Sequence, residues 1–371
     1  MVDISAQRDT TQGSFIYESS NLRFSSPLFA ALARSCTEDP DICEFGSAVR
    51  PGQPIALMIL STAQYLVFRA PESKLAGYFP SMTDTPKPTA EAFPVFREFC
   101  LDNREAMLQL LSTRTVNANL VERASTILPA SQYVAALTRE PLTLVEICCS
   151  AGLNLSFDEY HYDYGATGQV GAENAAVRLS CKVIGKSRPP IDAIPRLKHR
   201  VGIDLVAVDC SDPDARLWME AMLFPEWRVE RARLRKALAL RAARQIRIIA
   251  GDAVAVLPGL LEDLPGSLMI LHSFCMGQWP AASVDKLDEE LRHASRHRDI
   301  HRIGIEIPNG ESPREVRARL AALSAAGISI TQKNLPGRIE HIPYSRGAAG
   351  ETKLLGHADG LGAWIDWHAP G

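Results

Sequence analysis

Residues 142–149 (LTLVEICC) form a mostly apolar run rich in strand-forming types, set between Pro141 and Ser150-Ala151-Gly152. A strand that is apolar on both of its faces must be covered on both, which is the condition of a parallel sheet between helices. That run constrains the chain more than any other feature, because such a sheet needs alternating strands and helices. Further strands are expected at 177–184, 203–208, 246–250, 268–274, 303–307 and 328–335. Helices are expected at 152–160, 213–244 with a break near Pro225, 254–264, 284–296 and 313–326. Residues 353–357 and 362–368 read as a closing antiparallel hairpin. The alternation defines an α/β domain over 141–371, doubly wound and mostly parallel, with an insertion at about 165–200.

Residues 1–140 carry helical periodicity and almost no strand signal, so an all-α domain is expected ahead of the sheet. Ser25-Ser26-Pro27 opens one helix there, and 55–68, 90–111 and 116–128 read as others, the last ended by Pro129. The loop 82–88 (MTDTPKP) separates two of them. Two domains suit 371 residues. The net charge of −3 supplies no general attraction for nucleic acid or an acidic membrane. Six arginines between 228 and 244 lack the interleaved aromatics of a single-strand binder, and no nucleic-acid partner is expected. No apolar stretch reaches the length of a membrane span. The start MVDISAQRDT is not a secretory leader, so a cytoplasmic location is expected. The eight cysteines show no paired spacing of a zinc site or disulfide framework, and no metal is expected.

Three strand ends carry candidate chemistry. Glu146-x-Cys148-x-Ser150-x-Gly152 can be laid on the acidic-x-Gly-x-Gly-x-Gly turn of S-adenosylmethionine-dependent methyltransferases, where small residues let the backbone turn beside a bulky ligand. Asp209 follows the next expected strand, where a carboxylate accepts hydrogen bonds from ribose hydroxyls; Asp204 is a rival for that role. Gly251-Asp252-Ala253 follows a third, at the place where adenine would be read. A capping role is the plain alternative for both Asp209 and Asp252. The ordered set implies a methyltransferase-like Rossmann domain.

The segments 146–155 and 158–165 (DEYHYDYG) resemble the bacterial family known as domain of unknown function 2332, as do 202–209, Asp212-Pro213, 251–253 and His272-Ser273. The resemblance runs from about Phe24 to the end. The chain departs from that family at Cys148, where Gly is usual, and at Asn117, Ala118 and Leu120. Asn119 and Arg123 match. Four apart, they would share a helix face and suit the carboxylate of a cofactor or substrate. The resemblance implies no activity.

The leading expectation is an S-adenosylmethionine-dependent methyltransferase acting on a small-molecule acceptor. Glu146, Cys148, Ser150, Gly152, Asp209 and Asp252 would bind the cofactor. His272, at the fourth strand end, would be the base, or else a buried structural histidine. One rival is an esterase-like hydrolase, since Cys148-x-Ser150-x-Gly152 approaches a nucleophile elbow, with His272, His341 or His357 as partner to Ser150. Another is a nucleotide-binding protein without catalysis. The tyrosine-rich segment 158–165 either borders the site or ties down the insertion.

Overall fold

The structure is a computed structural model that describes residues 10–116, 118–307, 321, 324–325 and 336–369. It is a mixed α/β protein with a mostly parallel central sheet. The chain divides into two compact units, Met1–Ala118 with Asp212–Arg235, and Asn119–Ser211 with Lys236–Gly371. The division falls inside the helix Arg228–Ala243, and residues 119–140 go with the sheet. Among the described residues no helix is long and apolar enough to cross a membrane.

The described elements of the first unit are helices and 3₁₀ turns. Pro27–Cys36 starts where expected, with the Ser26 hydroxyl accepting from the Phe29 N–H. Ile55–Arg69 is the central helix, buried along most of its length. The helix expected over 90–111 is two, Ala92–Asp102 and Arg104–Thr113, parted at Asn103.

The described residues of the second unit form thirteen strands. In chain order they are β1 Leu142–Ile147, β2 His161–Asp163, β3 Gln169–Val170, β4 Arg178–Ser180, β5 Lys182–Ile184, β6 Leu197–Asp204, β7 Arg247–Ala250, β8 Ser267–Ser273, β9 Ile300–Glu306, β10 Gly337–Ser345, β11 Ala348–Ala349, β12 Lys353–Ala358 and β13 Trp364–Trp367. The main sheet runs β5-β13-β12-β10-β9-β8-β1-β6-β7, with β11 on β10. From β9 to β7 every pairing is parallel, and β10, β12 and β13 fold back antiparallel. β1 and β8 therefore lie where the winding reverses, the place where sheets of this kind bind ligands at the carboxyl ends of their strands.

Alternation places Val145 and Ile147 on one face of the sheet and Leu144 and Glu146 on the other. The first face meets Val201, Ile203, Leu268 and Ile270 and the helices Ala253–Asp263 and Ala281–Ala294 in one core. On the chain's approach to β1, the helix is Ala124–Thr138, not 116–128, and Pro129 lies inside it. Proline leaves the carbonyl four residues back without its usual donor. That carbonyl belongs to Ser125, and the Tyr164 hydroxyl donates to it at 2.6 Å. The substitute partner explains how the helix passes through a residue read from sequence as its end.

The strand expected at 203–208 is instead β6, ending at Asp204. The helix expected at 152–160 is a 3₁₀ segment, Asn154–Glu159. The strand expected at 177–184 is split into β4 and β5, which join different sheets. The helix expected at 213–244 is Pro213–Ala221 and Arg228–Ala243. The closing hairpin is present as β12 and β13, while the strand expected at 328–335 and most of the helix at 313–326 lie outside the described residues.

Gly202 of β6 lies opposite Glu146, and a Cβ there would run into the Cys149 sulfur. Gly202→Ala should therefore cost about 1–3 kcal/mol, the usual result of overpacking. Urea denaturation of the variant beside the native chain measures this, and equal stability would contradict it.

Candidate functional site

The loop after β1 turns through three left-handed residues. Cys148 has φ 57°, Ser150 φ 52° and Gly152 φ 69°. These are the three positions that the sequence aligned with glycines. An ordinary residue in this conformation costs about 1–2 kcal/mol, so the surroundings must hold it. The Ser150 N–H donates to Asp204 Oδ2 at 2.7 Å, and the Val206 N–H to Asp204 Oδ1 at 3.0 Å. The Asn119 amide donates to the Cys149 carbonyl at 2.9 Å. The Cys149 N–H reaches the Ile203 carbonyl at 3.2 Å, extending the β1–β6 ladder into the turn.

Beneath the turn, Glu146 is buried, and burial pushes its carboxyl up to about 8. The Asn154 amide donates to Glu146 Oε1 at 2.8 Å. Glu146 Oε2 and Asn154 Oδ1 are buried with no partner among the described residues. Arg123 is half-buried close by. Its Nε donates to the Gly360 carbonyl at 3.1 Å, and its guanidinium lies 4.6 Å from the centre of the Phe274 ring. Glu306, Cys275, Glu146 and Asp359 form its electrostatic surroundings. Asp359 is buried, its Oδ2 taken by the Leu361 and Ala363 N–H groups. Asn119 and Arg123 do not share a helix face. Asn119 precedes the 3₁₀ turn Val121–Arg123, so one braces the turn and the other faces the acids.

At the ends of β8 and β9 stands a group that the sequence reading only half identified. His272 is buried and paired in register with Gly304, where a Cβ would strike the imidazole ring. Arg302 Nε donates to His272 Nε2 at 2.9 Å, and His272 Nδ1 lies 2.8 Å from Glu306 Oε1. A guanidinium N–H can only donate, so Nε2 is the acceptor and Nδ1 carries the proton. Burial lowers the histidine's pKa, which keeps the ring neutral. Both nitrogens are thus committed to hydrogen bonds in this arrangement, as in the alternative of a buried structural histidine. The same tautomer turns a proton, not a lone pair, toward the Glu306 carboxylate and the Cys275 thiol. His272, Cys275 and Glu306 are grouped closely enough to hold a metal ion, which would have to displace that proton. Glu306 Oε1 also accepts from the Cys275 N–H at 3.2 Å. Glu306 was missed because a lone acid at a strand end has no motif around it.

Cys148 and Cys275 meet at the same edge. Hydrogen bonding with Cys275, and then with Trp279, pulls the Cys148 thiol below its usual value, while the contact with Cys148 and burial push Cys275 up.

Other expected residues stand apart. Asp209 lies five residues past the end of β6, fully exposed, with Oδ1 accepting from the Ser211 N–H at 2.8 Å and the Ser211 hydroxyl at 2.7 Å. The acid at the strand end is Asp204. Asp252 caps the helix Ala253–Asp263, accepting from the Val254 N–H at 2.9 Å. Among the histidines weighed as partners of Ser150, His341 is bonded to His301 and His357 pairs across the sheet with Asp366. Tyr160, Tyr162 and Tyr164 are buried, and each hydroxyl donates to a backbone carbonyl, so they anchor the insertion.

The chain matches, over residues 18–367, the family described as uncharacterized protein conserved in bacteria (DUF2332), and it belongs to that family. Comparison with curated proteins and with solved structures gave no match.

Two outcomes follow from these environments. Cys148 is half-exposed and its thiol is made more acidic, whereas Cys43, the other half-exposed cysteine, is shifted the opposite way by burial. Iodoacetamide should therefore modify Cys148 first, as peptide mass spectrometry would show; first reaction at another cysteine would contradict the geometry. Glu146 binds a proton in the folded chain up to about pH 8 but loses it near 4.5 when unfolded. Its contribution to stability is then complete below about pH 4.5 and lost as pH rises toward 8. Glu146→Gln, which keeps the neutral shape, should gain stability over the native chain at pH 8 relative to pH 5. The difference should be on the order of 2–5 kcal/mol by urea denaturation. The same difference at both pH values would contradict the shift.

Proposed function

We propose that the chain binds S-adenosylmethionine at the carboxyl ends of β1, β6 and β8 and methylates a small-molecule acceptor. The observation that carries this reading is the left-handed sequence Cys148, Ser150, Gly152 at the point where the sheet reverses. Side chains occupy two positions that the methyltransferase turn gives to glycine, yet they keep glycine-like conformations. The strand order β7-β6-β1-β8-β9 followed by antiparallel β10 agrees with a methyltransferase-like Rossmann sheet, and the helices of the first unit with an all-α domain.

The residues present fit the cofactor. Glu146 Oε2 and Asn154 Oδ1 are buried and unpartnered among the described residues; the ammonium of the methionyl end would donate to Asn154 Oδ1, and to Glu146 Oε2 once that carboxyl has given up its proton. The terminal nitrogens of Arg123, without a hydrogen-bond partner among the described residues, suit its carboxylate. Asp204 has lone pairs to spare for ribose hydroxyls and replaces Asp209 in that role. Bound there, the cofactor supplies an electrophilic methyl carbon. On the acceptor side, Glu306 takes the proton that leaves an oxygen or nitrogen nucleophile, and His272 fixes its orientation.

Calorimetry with S-adenosylhomocysteine tests the assignment. The native chain should bind, Asp204→Ala should lose about 1–3 kcal/mol of affinity, and Asp209→Ala should behave as native. No heat and no shift in melting temperature at millimolar ligand would remove the cofactor, and equal losses in the two variants would remove Asp204.

A further inference from the structure

We propose that His357, Asp366 and His368 form a binding site for a divalent transition-metal ion of the zinc class. It lies on the antiparallel pair β12–β13 and owes nothing to the cofactor reading. His357 and Asp366 are directly paired across the two strands. Residues so placed have Cβ atoms about 5 Å apart, held by the ladder itself. His368 follows Asp366 by two, so the two project to the same side, and the His368 N–H is tied to the Leu355 carbonyl at 2.7 Å. Backbone pairing thus aims three ligand side chains at one point.

One ligand atom from each of the three lies within 4.8 Å of the others. His368 Nε2 is 3.2 Å from Asp366 Oδ2, and the two imidazole rings stand 5.0 Å apart at 70°. Ligands about 2.0–2.2 Å from a tetrahedral zinc ion are separated by roughly 3.3–3.6 Å, so small rotations of half-exposed side chains complete the site. Gly185 leaves the space: a Cβ at that position would overlap Asp366 Oδ1.

The donor set selects the ion. Two imidazoles and one carboxylate suit zinc, cobalt, nickel or copper, whereas magnesium and calcium call for oxygen ligands. Three protein ligands leave a coordination position for water or an anionic group. Asp366 and His368 keep about a third of their side-chain surface exposed, at 30% and 38%. His368 also lines a surface cleft of about 470 Å³ with Arg188 and Asp192, whose charges are paired with each other at 2.8 Å. The site is therefore open to solvent, and the ion would bind without displacing any part of the core.

The test is calorimetry of the full chain with Zn²⁺ alone and Co²⁺ alone, after chelator treatment. One ion per chain should bind at about 1 µM or tighter, with Co²⁺ giving the visible bands of a low-coordinate site. His368→Ala combined with Asp366→Asn should weaken binding by at least about 100-fold without changing the melting temperature of the metal-free chain, because both residues are on the surface. Cys275→Ser should bind as the native chain does, which separates this site from the buried cluster at β8 and β9. Failure to bind either ion, binding that survives the double variant, or binding lost in Cys275→Ser would overturn the proposal.

Discussion

The carboxylate of Asp204 is the interaction on which the site depends. It ends β6 and receives the Ser150 N–H and the Val206 N–H, one on each oxygen. Holding Cys148 and Ser150 left-handed costs about 1–2 kcal/mol per residue. A hydrogen bond to a charged group contributes about 1.5–3 kcal/mol, so the Asp204–Ser150 bond offsets one residue's strain and part of the other's. The Asn119 amide on the Cys149 carbonyl and the Cys149 N–H on β6 supply the rest. Three contacts from two separate segments thus fix one five-residue turn.

That turn sets the positions of the groups around it. Glu146 points away from the helix-covered face that holds Val145 and Ile147, and Asn154 reaches it from the far side of the loop. Across the reversal of the sheet, Arg302, His272 and Glu306 form a chain of hydrogen bonds in which each proton has one possible place. Gly304 makes room for the imidazole in that chain, as Gly202 makes room for Cys149. The region around the turn and the ends of β8 and β9 therefore carries a pair of oxygens unpartnered among the described residues, an arginine over an aromatic ring and a carboxylate bonded to His272. The proposed cofactor, with its cationic amine, carboxylate and sugar, would meet a partner for each.

Much of this was legible in the sequence because two-sided burial leaves a strong mark. β1 was visible as a mostly apolar run, and its turn as a succession of small residues. β6 was misplaced because Lys198, His199 and Arg200 disguise its start, while Leu205 and Val206, apolar but 76% and 44% exposed, suggested a continuation. The error moved the acid at its end from Asp204 to Asp209. Pro129 misled in a similar way, since the hydroxyl that replaces the missing donor lies on Tyr164, thirty-five residues away. Residues joined only by the fold, such as Glu306 with His272 or Asp366 with His357, leave no pattern along the chain.

The central claim is that a nucleotide-like ligand lies against the turn after β1, and Cys148 is the natural reporter of it. The rate of Cys148 alkylation by iodoacetamide should be measured with and without S-adenosylhomocysteine. At ligand concentrations ten or more times its Kd, the account predicts a rate at least about tenfold slower, because a bound ligand covers the thiol. An unchanged rate at millimolar ligand would contradict it.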